Sequence, residues 1–168
     1  QQIIKEVKKL GELGNHHFRL GCQTDILSYA ADENGRLNPA KMEELYAGIR
    51  KADPNLKVLH LDNINPATLI HQKEAGRKII EIITKYNTAG DTAAFGLESA
   101  DPVVLEKNNI EADPDIAFKA IQLLNEIGGK RVNGVPKLLP GINFLHGLIG
   151  ERKETFEYNY SFLKKVYE

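Results

Sequence analysis

Apolar residues follow two rhythms along the chain, one of helices and one of strands, and the two alternate. Ile3, Ile4, Val7 and Leu10 recur at helical spacing between lysines and glutamates, which predicts a helix over 1–13 with Gly14 just past its end. Residues 17–23 read as a strand. Asp32, Glu33, Asn34 and Gly35 mark a loop, after which Asn38-Pro39 offers a cap and a first-turn proline. Met42, Leu45, Tyr46 and Ile49 give that helix its apolar face, up to Asp53-Pro54. A strand over 56–62 follows, then Asn63-Ile64-Asn65-Pro66, then a helix over 74–86 with Ile79, Ile80, Ile82 and Ile83 on its buried side. Residues 87–91 read as a turn.

The stretch 92–109 shows the repeating unit most clearly. A short apolar run, the pattern of a buried strand, ends at Gly96 and empties into Glu98 and Ser99. Asp101 and Pro102 then start a short helix over 103–107. Asp113-Pro114 caps a longer helix carrying Ile116, Phe118, Ile121, Leu124 and Ile127, stopped by Gly128-Gly129. Residues 131–137 read as an excursion loop and 138–146 as a fourth strand. The last helix, 154–168, is expected to turn Phe156, Tyr160, Leu163 and Val166 inward. The order is α(βα)4, and strands joined through helices run parallel with right-handed crossovers. The fold class is therefore α/β, a single domain over 1–168 built of parallel βα repeats.

Strand side chains alternate faces, so each strand divides into two sets. Phe18, Leu20, Leu59, Leu61, Phe95, Leu97, Ile142 and Phe144 are large and apolar, as needed where helices pack. Arg19, Gly21, Gln23, His60, Asp62, Ala94, Gly96, Glu98, Gly141 and Asn143 are small or polar. A doubly wound sheet is apolar on both faces. The asymmetry predicts that the second face looks into a cavity, as in a partial TIM-like barrel with ligands at the carboxyl ends of the strands. The alternative is a face that is simply solvated or carries paired polar groups in a complete core.

Composition narrows the classes. The chain of 168 residues is 42% hydrophobic and 27% charged with a net charge of −1, which offers no basic footprint for nucleic acid. No apolar run approaches the roughly 20 residues of a membrane span, and the amphipathic first helix lacks a signal-peptide core. The single cysteine, Cys22, excludes an internal disulfide and fits a reducing cytoplasm. It also excludes a cluster or zinc site that takes several thiolates from these residues.

The segment Phe95-Gly96-Leu97-Glu98-Ser99, followed by Asp101-Pro102, Val104-Leu105 and Asn108-Asn109, resembles the fourth-strand motif of radical S-adenosylmethionine enzymes. The branch is the one that includes methylthiotransferases and the Elongator catalytic subunit. Residues 141–151, Gly-Ile-Asn-Phe-Leu-His-Gly-Leu-Ile-Gly-Glu, are similar to that branch's fifth-strand motif, and Glu154, Thr155 and Phe156 fit the helix after it. Leu20-Gly21-Cys22-Gln23 falls where the family has a second-strand Gly-rich motif, and 62–66 falls at the end of its third strand.

The resemblance implies a full or partial (βα)6 barrel in which a CxxxCxxC motif holds a 4Fe-4S cluster. The cluster's unique iron takes the amino and carboxylate groups of S-adenosylmethionine, and electron transfer yields a 5′-deoxyadenosyl radical. The chain has no CxxxCxxC, Ile110 stands where relatives often place an arginine, and Ile149 replaces the usual proline. It reads as an interior fragment of such an oxidoreductase. Alone it is expected to be inactive and to bind neither cluster nor cofactor tightly.

Carried over by position, the resemblance implies cofactor contacts at Gly21, Gln23, Asn63, Glu98, Ser99 and Asn143. Gly21 would admit the methionyl amino group, Glu98 would accept hydrogen bonds from that group or the ribose, and Asn143 would bond the ribose hydroxyls. A structural role for Glu98, capping the next helix or pairing with Arg19, is the alternative. His60, Asp62, Glu98 and His146 carry metal-ligand chemistry, but His146 alternates to the face opposite Glu98. A missing strand would leave a parallel edge unpaired, so homodimerisation or strand exchange is expected. The rival function is a self-contained α/β module holding an anionic ligand at helix N-termini.

Overall fold

Four helices begin with the same local device, an Asn or Asp cap followed by proline. Asn38 accepts from Lys41 N, Asn65 from Ala67 N, Asp101 from Val103 N and Asp113 from Asp115 N and Ile116 N. Pro39, Pro66, Pro102 and Pro114 stand next, where a missing N–H costs nothing. The computed structural model describes residues 1–21 and 24–168. The end of the first predicted strand, at Cys22 and Gln23, lies outside the described residues.

The elements are α1 (Gln2–Glu12), β1 (His17–Leu20), α2 (Pro39–Ala52), β2 (Val58–Leu61), α3 (Pro66–His71), α4 (Lys73–Tyr86) and β3 (Asp91–Glu98), then α5 (Pro102–Lys107), α6 (Pro114–Gly128), β4 (Arg131–Val132), β5 (Val135–Pro136), β6 (Leu138–Phe144) and α7 (Lys153–Tyr167). β1 pairs with β2 in parallel from His17↔Val58 to Leu20↔Leu61. β3 pairs with β6 in parallel from Asp91↔Leu138 to Phe95↔Ile142 and beyond. A parallel bridge, Asn63↔Ala94, joins the two pairs, so the strands lie in chain order β1–β2–β3–β6. The fold is mixed α/β with small parallel sheets, and the described residues form no closed barrel.

One face of the strands is apolar, as the alternation predicts. Leu59, Leu61, Phe95 and Leu97 are buried against Met42, Leu45 and Ile49 of α2, Ile79, Ile80 and Ile83 of α4, and Ile121 and Leu124 of α6. The other face is open: Arg19, Gly96 and Asn143 are exposed, and His60, Asp62, Ala94, Glu98 and Gly141 are half-buried.

Three expectations need correction. The α(βα)4 order omits α3, although Asn65-Pro66 carries the same cap signature as the other helices. Residues 131–137 are no simple loop: β4 and β5 form an antiparallel hairpin around Asn133 (φ 51°) and Gly134 (φ 79°), the two positive φ angles of a type I′ turn. The third concerns α7, which buries Thr155, Asn159 and Phe162, while Phe156, Tyr160 and Leu163 are exposed. Of the four residues expected inside, only Val166 packs on the core. Two buried polar residues turn the helix: Thr155 Oγ1 donates to Asp101 at 2.8 Å, and Asn159 Oδ1 accepts from Ala100 N at 2.7 Å.

Candidate functional site

A cavity of about 530 Å³ opens at the carboxyl ends of β2, β3 and β6, beside the first turns of α3 and α6. β2 contributes Asn63 from the segment just beyond its end, β3 contributes Ala94, Gly96 and Glu98, and β6 contributes Asn143. The opposite wall comes from the segment between α5 and α6, with Ile110, Glu111 and Asp113. Three predicted contacts, Asn63, Glu98 and Asn143, thus meet in one space although they lie far apart in the chain.

Glu98 sits there in an unusual backbone. Its φ is +65°, a region that costs a side-chain-bearing residue energy, and the β3–β6 register slips between Gly96 and Glu98. Ser99 N donates to Leu97 O at 2.7 Å, closing a three-residue γ-turn with Glu98 at its centre. Glu98 O accepts from Leu145 N at 2.9 Å, which ties this turn to the end of β6. A Cβ at Gly96 would lie 2.7 Å from Glu98 Oε1, so the carboxylate folds back over a position that only glycine leaves free. Strain of this kind is maintained by its surroundings and concentrates at functional sites.

The other expected contacts go elsewhere. Ser99 is buried, and its Oγ accepts from Asp101 N at 3.1 Å. It braces the start of α5 and does not line the cavity. Gly21 faces Asp62, whose Oδ2 would be 3.1 Å from a Cβ there, and lies outside the cavity lining. Arg19 pairs with Asp62 at 2.8 Å. Gln23 lies outside the described residues.

Sequence reasoning missed Thr24, Asn65, Glu111 and Asp113 in the lining. Asn65 and Asp113 were visible as caps, and caps at the carboxyl ends of parallel strands are where such a wall forms.

The lining has a definite electrostatic sign. Glu98, Glu111 and Asp113 bring three carboxylates, Asn63, Asn65 and Asn143 bring amides, and no Lys, Arg or His is among the described lining residues. Ile64, Ile110 and Ile116 supply apolar area. Such a space suits a cation that also carries hydroxyl groups and a flat apolar part. Among the described residues no group of three or more His, Cys, Asp or Glu stands ready to hold a metal ion. That includes His60, Asp62, Glu98 and His146.

Behind the cavity, the two motif segments are fastened to each other. Asn108 Nδ2 donates to Ile149 O at 2.9 Å and Asn108 Oδ1 accepts from Ile149 N at 3.1 Å. Asp101 takes Thr155 Oγ1 at 2.8 Å, with the Arg152 guanidinium 3.5 Å away. Burial raises the Asp101 pKa, but the bonds from Thr155 and from the Val103 and Val104 amides, with Arg152 nearby, outweigh it and hold the carboxyl below its usual range.

No family model matches the chain. It is similar to an uncharacterised protein of Archaeoglobus fulgidus, 46% identical over 171 residues, which takes in all of this chain and 32% of that protein. An uncharacterised protein of Methanocaldococcus jannaschii is 44% identical over 174 residues, again covering the whole chain and 32% of the relative. A second from the same organism is 28% identical over 169 residues. The chain spans about a third of the length of these curated relatives.

Proposed function

We propose that these residues form part of the catalytic barrel of a radical S-adenosylmethionine iron–sulfur oxidoreductase, supplying cofactor- and substrate-facing side chains and not the cluster ligands. The observation that carries the reading is Glu98: a carboxylate held in a strained turn at the end of a buried strand, in a cavity whose charged groups among the described residues are all acidic. Four parallel strands in chain order support the partial-barrel architecture, since a doubly wound sheet reverses its order at a switch point.

The residues suit S-adenosylmethionine and do not suit the cluster. A sulfonium and an ammonium fit the acidic lining, ribose hydroxyls fit Asn63 and Asn143, and adenine fits the isoleucines. One cysteine cannot supply three thiolates, so these residues cannot hold the cluster by themselves. The cofactor, when bound, supplies radical chemistry. The chain's own contribution is to bind a cation through Glu98, to orient it through two amides, and to close off one wall with Ile110 and Ile116.

The rival anion-binding module is disfavoured by the same lining, whose described residues offer three carboxylates and no cation. A cytoplasmic location and association through the outer edge of β1, which has no strand partner beyond β2 among the described residues, complete the proposal. Sedimentation equilibrium should show dimers at high concentration, and a strict monomer counts against that part.

The test is full-length protein expressed from its native reading frame and reconstituted anaerobically with iron and sulfide. A four-iron cluster whose spectrum changes on adding S-adenosylmethionine, with the change lost in Glu98→Gln, supports the reading. An absent cluster sinks it.

A further inference from the structure

The seam between β2 and β3 is built differently from the rest of the sheet. In the register of the Asn63↔Ala94 bridge, His60 would stand opposite Asp91, yet no backbone ladder runs between them. Side chains replace it. Leu59 N donates to Thr88 Oγ1 at 3.0 Å, and Leu61 N donates to the Asp91 carboxylate at 3.2 and 3.1 Å. Beyond these, Thr88 N reaches Leu59 O, Ala94 N reaches Asp62 O, and Ile64 N reaches Ala94 O.

Asp91 is a costly choice for this task. It is 2% exposed, and burial pushes its carboxyl up against the opposing effect of His60, whose Nδ1 is 3.9 Å away, and of the amides it accepts from. Thr92 N donates to it at 2.9 Å, and Asn87 Nδ2 donates to its other oxygen. Tyr46 on α2 and Lys137 before β6 also sense its charge. One buried carboxylate thus ties the amide of β2 to the first residue of β3 and the turn before it.

The seam runs straight to the candidate site. Asn63, two residues past the latched amide, stands on the β2 side of the cavity, while Glu98 and Asn143 stand on the β3–β6 side. We propose that Asp91 is a positioning residue for this cavity: by latching Leu61 N it sets the separation of Asn63 from Glu98 and Asn143. The proposal rests on reading the cavity as a ligand site. Asp91 itself touches no ligand.

Amide exchange by NMR on the 168-residue chain tests the latch. In Asp91→Ala, exchange at Leu61, Ile64 and Ala94, whose amides bond across the seam, should accelerate by at least about tenfold, while the amides that donate to a strand partner within the β1–β2 or β3–β6 ladder hold their wild-type rates. Asp91→Asn, which keeps an acceptor oxygen, should restore most of the protection. Thr88→Val removes the neighbouring side-chain acceptor without emptying space, and should loosen Leu59 and Leu61 together; it decides the matter if Asp91→Ala does not fold. Uniform acceleration over the whole sheet, or unchanged exchange at Leu61, overturns the proposal. Titration with S-adenosylmethionine adds the site. Wild-type chain should show shifts at Asn63 and Asn143 together, and Asp91→Ala should lose the Asn63 response first. No shift at either residue in the wild type overturns the ligand reading of the cavity, while the exchange data still judge the latch.

Discussion

Thr155 Oγ1 donates a hydrogen bond to Asp101 Oδ2 at 2.8 Å, joining the first turn of α7 to the N-cap of α5 across 54 residues of chain. Both side chains are buried, and Asp101 also accepts from Val103 N while Arg152 N donates to Thr155 Oγ1. The contact links the two segments whose motifs carry the family resemblance, and it does so without touching the cavity.

Thr155→Val keeps the shape of the side chain and leaves the buried carboxylate one donor short. The loss should destabilise the chain by ~1–3 kcal/mol, a drop of roughly 3–10 °C in Tm by calorimetry. The pH dependence has a definite sign. Asp101 titrates below its unfolded value, so the stability it contributes is present above the ordinary carboxylate range near about 4 and is lost as pH falls through the folded value. Thr155→Val should therefore lose most stability at neutral pH and little in acid. A Tm difference that grows on acidification would refute this account.

The orientation of α7 can be checked by neighbouring truncations. Phe162 is buried edge-on to Phe144 with ring centres 6.5 Å apart, whereas Leu163 is 44% exposed. Phe162→Ala should cost ~3–4 kcal/mol in denaturant unfolding, and Leu163→Ala should change stability by less than ~0.5 kcal/mol. The sequence pattern alone predicts the reverse for Leu163, so comparable losses at both positions would restore the original orientation.

These two cases show what a sequence discloses here. Local rules worked where one residue's chemistry decides the outcome: the Asn and Asp caps with proline, the strand alternation, and the gathering of Asn63, Glu98 and Asn143 at one end of the sheet. Residues whose role depends on a distant partner were illegible. Asn159 and Thr155 are polar, so periodicity turned them outward, but Ala100 N and Asp101 draw them in. Ser99, carried over from the motif as a cofactor contact, is a local case: its Oγ accepts from Asp101 N two residues on. The hairpin at Asn133-Gly134 reads as a loop in the sequence, because its two-residue strands are too short to show alternation.

Glu98 allows stability and binding to be separated. Glu98→Gly relieves a positive φ, a gain of up to ~1 kcal/mol offset in part by the entropy of an added glycine, so Tm should hold or rise slightly. Binding at the cavity should weaken in the same variant. Gly96→Ala should act oppositely on geometry: its Cβ meets Glu98 Oε1 and pushes the carboxylate away, weakening binding with the fold intact by circular dichroism. A Glu98→Gly chain that melts well below wild type would mean that the carboxylate is structural.

The sign of the cavity charge gives the most direct discrimination between ligand classes. Glu98, Glu111 and Asp113 favour a cation, and a single unit charge near a partly exposed carboxylate contributes on the order of 1 kcal/mol, which is about fivefold in affinity. S-adenosylmethionine, with its sulfonium, should therefore bind about fivefold more tightly than uncharged-sulfur S-adenosylhomocysteine when both are titrated by calorimetry at low salt. The difference should shrink in Glu98→Gln and at high ionic strength, because screening acts on the charge and not on the adenine contacts. Inorganic phosphate should not compete. Equal affinities for the two compounds would show that the carboxylates do not face the ligand, and competition by phosphate would favour the anion-binding module.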